Sequence, residues 1–154
     1  MSSSLRSYAM LALFVALMAG AAATGSQFRS GAWYMALVKP SWTPPGWLFA
    51  PVWTVLYVMI AIAGWLAWRA GGLARPTAFW LAQLVLNAAW SWAMFGRNHI
   101  GLALADIAML WLAIGAFIWS AWPVSRAAAL LFVPYWAWVS FSSALNFAIY
   151  RLNP

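Results

Sequence analysis

The chain has 154 residues, 67% of them hydrophobic and 6% charged, with eight basic residues against one acid. Soluble domains carry roughly a quarter charged residues, so this composition excludes one and makes a lipid bilayer the solvent. The absence of Cys excludes disulfides, thiolate nucleophiles, Cys-bound zinc and iron–sulfur clusters, and a single carboxylate excludes paired-carboxylate chemistry and acidic metal cages.

A bilayer-crossing helix needs about 20 mostly apolar residues. The first such stretch runs over about 8–24. Its Ser-rich start, Arg6 and the small-residue run Ala19 to Ala23 also fit a cleaved signal peptide. Ala12, Ala16, Gly20 and Thr24 form a small-residue ridge that instead suits close helix packing in lipid.

Residues 26–46 follow as a long connection holding Trp33, Tyr34, Trp42, Arg29, Lys39 and three prolines, Pro40, Pro44 and Pro45. The prolines stiffen it, and two readings fit: a structured lid, or an interfacial anchor with its rings at the headgroups.

The remaining spans fall at about 47–68, 76–95, 100–121 and 127–150. They are Ala- and Leu-rich runs without period-two alternation, so helices are expected rather than strands. Pro76 stands where the third span begins, a position that tolerates the missing N–H, and Pro51 and Pro134 are expected to bend their helices. The expected architecture is therefore an all-α integral membrane protein. A single domain over 1–154 is built as a bundle of five transmembrane helices, with a long structured loop between the first two.

The basic residues stand singly between spans, which argues against nucleic acid as a partner. Arg6, Arg69, Arg75 and Arg126 fall on one side of the membrane and Arg29, Lys39, Arg97 and Arg151 on the other, so the positive-inside rule assigns no orientation.

Inside the spans, helical spacing sorts the polar and aromatic residues. Gln83, Asn87, Trp90 and Ser91 share one face, as do Tyr135, Trp138, Ser142, Leu145 and Asn146, and Trp53 aligns with Tyr57 and Ile60. Polar groups are costly toward lipid, so these faces are expected to converge. They serve either as interhelical hydrogen-bonding groups or as the walls of a cavity for a planar apolar ligand. By position, Trp47, Trp65, Trp68, Trp80, Trp119 and Trp122 read as interfacial belt, while Trp53, Trp90, Trp92, Trp111, Trp136 and Trp138 lie deep. Asp106, two turns into the fourth span, is expected to pair with Arg29, Lys39, Arg97 or Arg151 as a structural anchor. His99 reads as an interface residue rather than a haem ligand.

The ordered set Trp33-Tyr34…Leu37…Lys39-Pro40…Trp42…Pro44-Pro45…Phe49…Trp53…Leu56-Tyr57 closely resembles the signature of the tryptophan-rich sensory protein/translocator protein (TspO/MBR) family. The likeness continues through Gln83…Asn87…Trp90-Ser91…Phe95-Gly96, Asp106 and Pro134-Tyr135…Trp138…Phe141…Leu145-Asn146…Tyr150…Asn153. The resemblance implies a five-helix bundle, often a homodimer, with the first span retained and the long loop closing over a pocket. It implies porphyrins, protoporphyrin IX or haem, as ligands rather than obligatory cofactors, with membrane lipid or a sterol-like molecule as further partners.

By resemblance the ligand-binding residues are Tyr34, Trp42, Pro44, Trp53, Asn87, Trp90, Trp138 and Ser142. Trp33, Lys39, Pro40, Pro45 and Asp106 shape the lid and its support. Family members are linked to tetrapyrrole regulation or transport, and some bacterial ones to light-dependent porphyrin degradation. No acid–base catalytic set and no internal repeat is visible here, so a receptor in a bacterial envelope is expected ahead of an enzyme, a transporter or a mitochondrial outer-membrane protein. The family's sterol motif near the end of the fifth span is broken, because Phe147 replaces the expected Tyr and Arg151 directly follows Tyr150. Ser142 and Leu102 also depart from the animal members, which carry Ala and a large aromatic there, so drug affinity does not transfer.

Overall fold

The structure, a computed structural model, describes residues 3–154, so the first two residues of the expected 1–154 domain lie outside the described residues. Every regular element among them is helical. Five helices are long and apolar enough to cross a membrane: α1 (Ser3–Gln27), α3 (Phe49–Gly71), α4 (Arg75–Ser91), α5 (Ile100–Ala121) and α6 (Arg126–Leu152). A short helix, α2 (Ala32–Ala36), lies in the long connection. The chain is thus an all-α integral membrane protein with five transmembrane helices.

The ends follow local chemistry. Pro45 leads into a 3-10 turn (Gly46–Leu48), and Pro51 falls in the first turn of α3, where no backbone donor is needed. Gly72 takes φ 67° just past α3, a left-handed conformation that only glycine adopts without strain. Pro76 occupies the first turn of α4, as expected. His99 caps α5, its Nδ1 accepting from the Leu102 N–H at 3.0 Å, and Ser125 caps α6 in the same way through Ala128. Between α4 and α5 the helix widens into a π turn (Trp92–Gly96), an irregularity the apolar run does not announce.

α1 packs on α3 and α4, α4 on α5, α5 on α6, and α6 back on α3. The spans therefore close a ring in the order α1–α3–α6–α5–α4. Its core runs from Ile60 through Ile114 to stacked Phe117 and Phe132, whose ring centroids are 3.8 Å apart. The lid connects the end of α1 to the start of α3, at the same end as the start of α5 and the end of α6.

Two sequence expectations need correction here. The ridge Ala12, Ala16, Gly20 and Thr24 faces outward, and nothing lies within 4 Å of a Cβ built on Gly20. α1 instead buries its bulky stripe, Phe14, Met18 and Ala21, and the small residue sits on the partner helix. Phe14 stands edge-on to Trp80 (4.7 Å) over Gly64 of α3. The belt assignment also fails twice. Trp80 is 0% exposed and donates to the Ile60 carbonyl at 2.8 Å, while Trp92, read as deep, begins the π turn and is 43% exposed. Trp47, Trp119 and Trp122 are exposed, as belt residues should be.

Gly64 is the notch on which the α1–α3–α4 junction closes. A Cβ there would lie 2.5 Å from Trp80 Nε1 and 2.7 Å from a Phe14 ring carbon, and neither rigid ring can swing aside. Gly64→Ala should therefore destabilise the bundle by about 1–3 kcal/mol through overpacking. A lowered thermal midpoint in detergent checks this, with Gly20→Ala as the neutral control.

A candidate ligand site beneath the lid

α4 and α6 face each other across the ring, and their side chains meet through a chain of hydrogen bonds. Asn87 Nδ2 donates to the Tyr135 hydroxyl at 2.9 Å, and that hydroxyl donates to Gln83 Oε1 at 3.0 Å. One turn nearer the lid, Trp90 Nε1 donates to Asn146 Oδ1 at 3.0 Å, and Asn146 Nδ2 donates to the Ile100 carbonyl of α5 at 3.4 Å. Gln83, Asn87, Tyr135 and Asn146 are all buried. The 3.6-residue spacing puts these residues on common faces, and bringing those faces together keeps the amides out of lipid. Among the polar residues expected to serve a ligand, Asn87 and Trp90 thus engage other helices.

Beside this network lies an aromatic layer between α3 and α6. Trp53 is 5.3 Å from Tyr57 and 6.2 Å from Tyr135 between ring centroids. Trp138 is 5.7 Å from both Phe49 and Phe141, and Trp42 of the lid reaches Phe141 at 5.8 Å. The structure therefore joins Trp42 to Trp138 through Phe141, with Phe49 beside it, rings that periodicity alone does not single out, and sets Trp53 against Tyr135 of the expected α6 face. Trp138 Nε1 and Gln83 Nε2 are buried without a hydrogen-bond partner among the described residues. Ser142, one turn beyond Trp138, is half-buried, as is Pro44.

The lid is structured. Thr43 turns back on the Pro40 carbonyl through both its N–H (3.0 Å) and its hydroxyl (2.7 Å). Lys39 Nζ donates to the carbonyls of Met35 (3.3 Å) and Leu37 (3.1 Å), closing the C-terminal end of α2, and stands 4.6 Å from the Tyr34 ring centroid. Burial pushes the Tyr34 phenol above its ordinary pKa. Tyr34 meets Phe95, which meets Trp90, and Trp33 packs with Ala93, Met94 and Ala103. Pro45 is exposed at the lid's exit into α3, and half-buried Pro40 shapes the turn before it.

The lid is fastened from the far end of the chain. Asn153 Oδ1 accepts from the Val38 N–H at 3.0 Å, and its Nδ2 donates to the Val38 carbonyl at 2.9 Å and to Ile149 at 2.8 Å. A side-chain amide reads both groups of one peptide residue, as a neighbouring strand would. Spacing gives no hint of this, since Asn153 follows the last helical turn.

The ion pair expected for Asp106 is not formed. Its Oδ2 is buried with no hydrogen-bond partner, and no described cation lies within 4 Å of its carboxylate. The expected partners are engaged elsewhere or point outward: Lys39 caps α2, Arg97 stands 5.7 Å from the Trp92 ring, and Arg29 and Arg151 are exposed.

An aromatic, amide-lined bundle interior closed at one end by a lid defines a helical integral membrane protein built around a side-chain-lined interior. The sequence profile of the TspO/MBR family matches residues 9–151, and the chain belongs to that family. It is 39% identical to the protein CrtK of Rhodobacter capsulatus, over 96% of this chain and 95% of that one. It is 42% identical to the tryptophan-rich protein TspO of Chlorobaculum tepidum, over 94% and 96%. The human translocator protein is 38% identical, over 84% of this chain and 81% of its own.

Two substitutions test the geometry. Tyr135→Phe removes the hydroxyl that joins Asn87 to Gln83 and should cost about 1 kcal/mol, the scale of interhelical hydrogen bonds in membranes; thermal unfolding in detergent measures it. Asn153→Ala should leave that midpoint nearly unchanged while amide hydrogen exchange at Val38 accelerates by about tenfold, as expected when roughly 1.4 kcal/mol of local protection is lost. Unaltered exchange would mean the lid holds without its clamp.

Proposed function

We propose that this protein is a membrane receptor, or regulator, that binds porphyrins such as protoporphyrin IX and haem, and related planar apolar ligands, in the α3–α6 aromatic layer beneath the lid. The observation that carries this reading is that α3 and α6 each bring a deep indole to that layer, Trp53 against Tyr57 and Tyr135 and Trp138 against Phe49 and Phe141, with the Trp138 N–H unbonded. Flat indole faces give a porphyrin ring offset-stacked contact, and a free N–H gives it one oriented hydrogen bond.

The ligand's carboxylates call for cations at the pocket mouth. Lys39 in the lid and Arg29, Arg97 and Arg151 at the same end of the bundle supply them. Asn87 and Trp90 hold α4 to α6 and so fix the spacing of the walls, and Asn87 is a positioning residue on this reading. Tyr34, Trp42 and Pro44 close the pocket from the lid, and Ser142 adds a hydroxyl beside Trp138. Identities of 39% and 42% to bacterial proteins support a place in a bacterial envelope, and a homodimer is the assembly that accompanies this reading.

Titration of the purified protein with protoporphyrin IX in the dark tests it. Bound porphyrin should quench Trp emission and shift its own absorption band. Replacing two stacking indoles together, Trp53→Phe with Trp138→Phe, should weaken affinity by about fivefold at roughly 0.5 kcal/mol per ring. Unchanged affinity in a double variant of normal helix content would sink the assignment.

A further inference from the structure

The end of the bundle away from the lid holds a cleft of about 740 Å³ between the start of α4, the end of α5 and the first turns of α6. Arg75 and Pro76 stand at its rim, and Gly115, Trp119, Trp122 and Trp136 wall it. Gly115 lies nearly two turns inside α5 from Ala121, and Trp136 nearly three turns inside α6 from Arg126. At 1.5 Å per residue the cleft reaches roughly 10–15 Å from the interface into the hydrocarbon.

Three features give it chemistry. Its walls are almost wholly apolar and aromatic, as an acyl chain requires. The Trp136 indole N–H is buried with no acceptor among the described residues, which is costly in hydrocarbon unless a ligand supplies one. Its rim is cationic. Arg75 lines it, Arg126 stands 5.7 Å from the Trp122 ring, and Arg6 and Arg69 lie at the same end of the bundle. The chain's one acid, Asp106, lies in the lid-side half of α5, so nothing acidic in the sequence balances these four arginines. α4 also starts without a side-chain cap, at Ala74.

We propose that this cleft is a binding site for one anionic glycerophospholipid of the surrounding leaflet. The phosphate and its anionic headgroup meet Arg75 and the start of α4. An ester carbonyl accepts from the Trp136 N–H, and an acyl chain lies along Trp119 and Gly115. Charge complementarity selects this occupant over a zwitterionic lipid, because every ionisable group at the rim is a cation.

Native mass spectrometry of the full chain, released from detergent and titrated with phosphatidylglycerol or phosphatidylcholine of identical chains, tests the site. The parent should retain one phosphatidylglycerol in preference to phosphatidylcholine. Arg75→Gln should reduce that preference about fivefold, the effect of one basic residue near an anionic surface. Gly115→Leu projects a side chain into the cleft, since a Cβ there already lies 3.6 Å from the Trp136 ring, and should abolish retention of both lipids. If that variant fails to fold, Trp119→Ala, at a position 71% exposed, replaces it with the same expectation. Trp136→Phe should lower retention of the ester lipid to that of its ether-linked analogue. Equal retention of the two headgroups by the parent would overturn the proposal, as would retention that ignores both the rim and the wall variants.

Discussion

The bundle depends on one constraint: in hydrocarbon, a polar side chain must find its partner within the protein. α4 and α6 stand on non-adjacent places of the ring, and Asn87, Tyr135, Gln83, Trp90 and Asn146 close the distance between them. Apolar packing gives little direction in lipid, because tails are as apolar as Leu. These hydrogen bonds therefore set how far apart the opposing walls stand, and so set the room between α3 and α6 where the rings of Trp53 and Trp138 are layered. The remaining buried donors, Gln83 Nε2 and the Trp138 and Trp136 indoles, are where this accounting stays open. The two indoles fall in the two regions for which ligands are proposed, one beneath the lid and one toward the opposite interface.

The five spans were legible because hydrophobic length and punctuation are properties of the chain itself. Pro76, Gly72 and the arginines Arg69 and Arg75 sit where the helices break; α5 spans the expected 100–121 behind its His99 cap, and α1 and α6 run a few residues past their expected ends. The converging faces were also legible, since period and polarity together point Gln83, Asn87, Tyr135 and Asn146 inward.

What escaped the sequence is whatever depends on which neighbour a face meets. The small ridge of α1 and the Phe14 stripe are equally valid helical faces; only Gly64 on α3 decides that the bulky one packs inward. Trp80 is buried because it lies over that notch, and Trp92 stands exposed on a π turn; neither is encoded in distance from a span end. The partner assumed for Asp106 rested on charge alone, and the basic side chains had closer uses in capping α2 and stacking on an indole. Within the candidate site, Asn87 was found by its face, but its attachment to Tyr135 could be read only once α6 was placed opposite α4.

The clamp between Asn153 and Val38 joins residues 115 apart in the chain. A ribosome delivers Val38 long before Asn153, so the loop emerges, and four further spanning helices are made, before its fastening exists. The amide clamp is accordingly made only once α6 has been synthesised, after the helices that wall the interior. A chain lacking Asn153 would keep all five helices and hold its lid through the packing of Trp33, Tyr34 and Trp42 without the amide clamp.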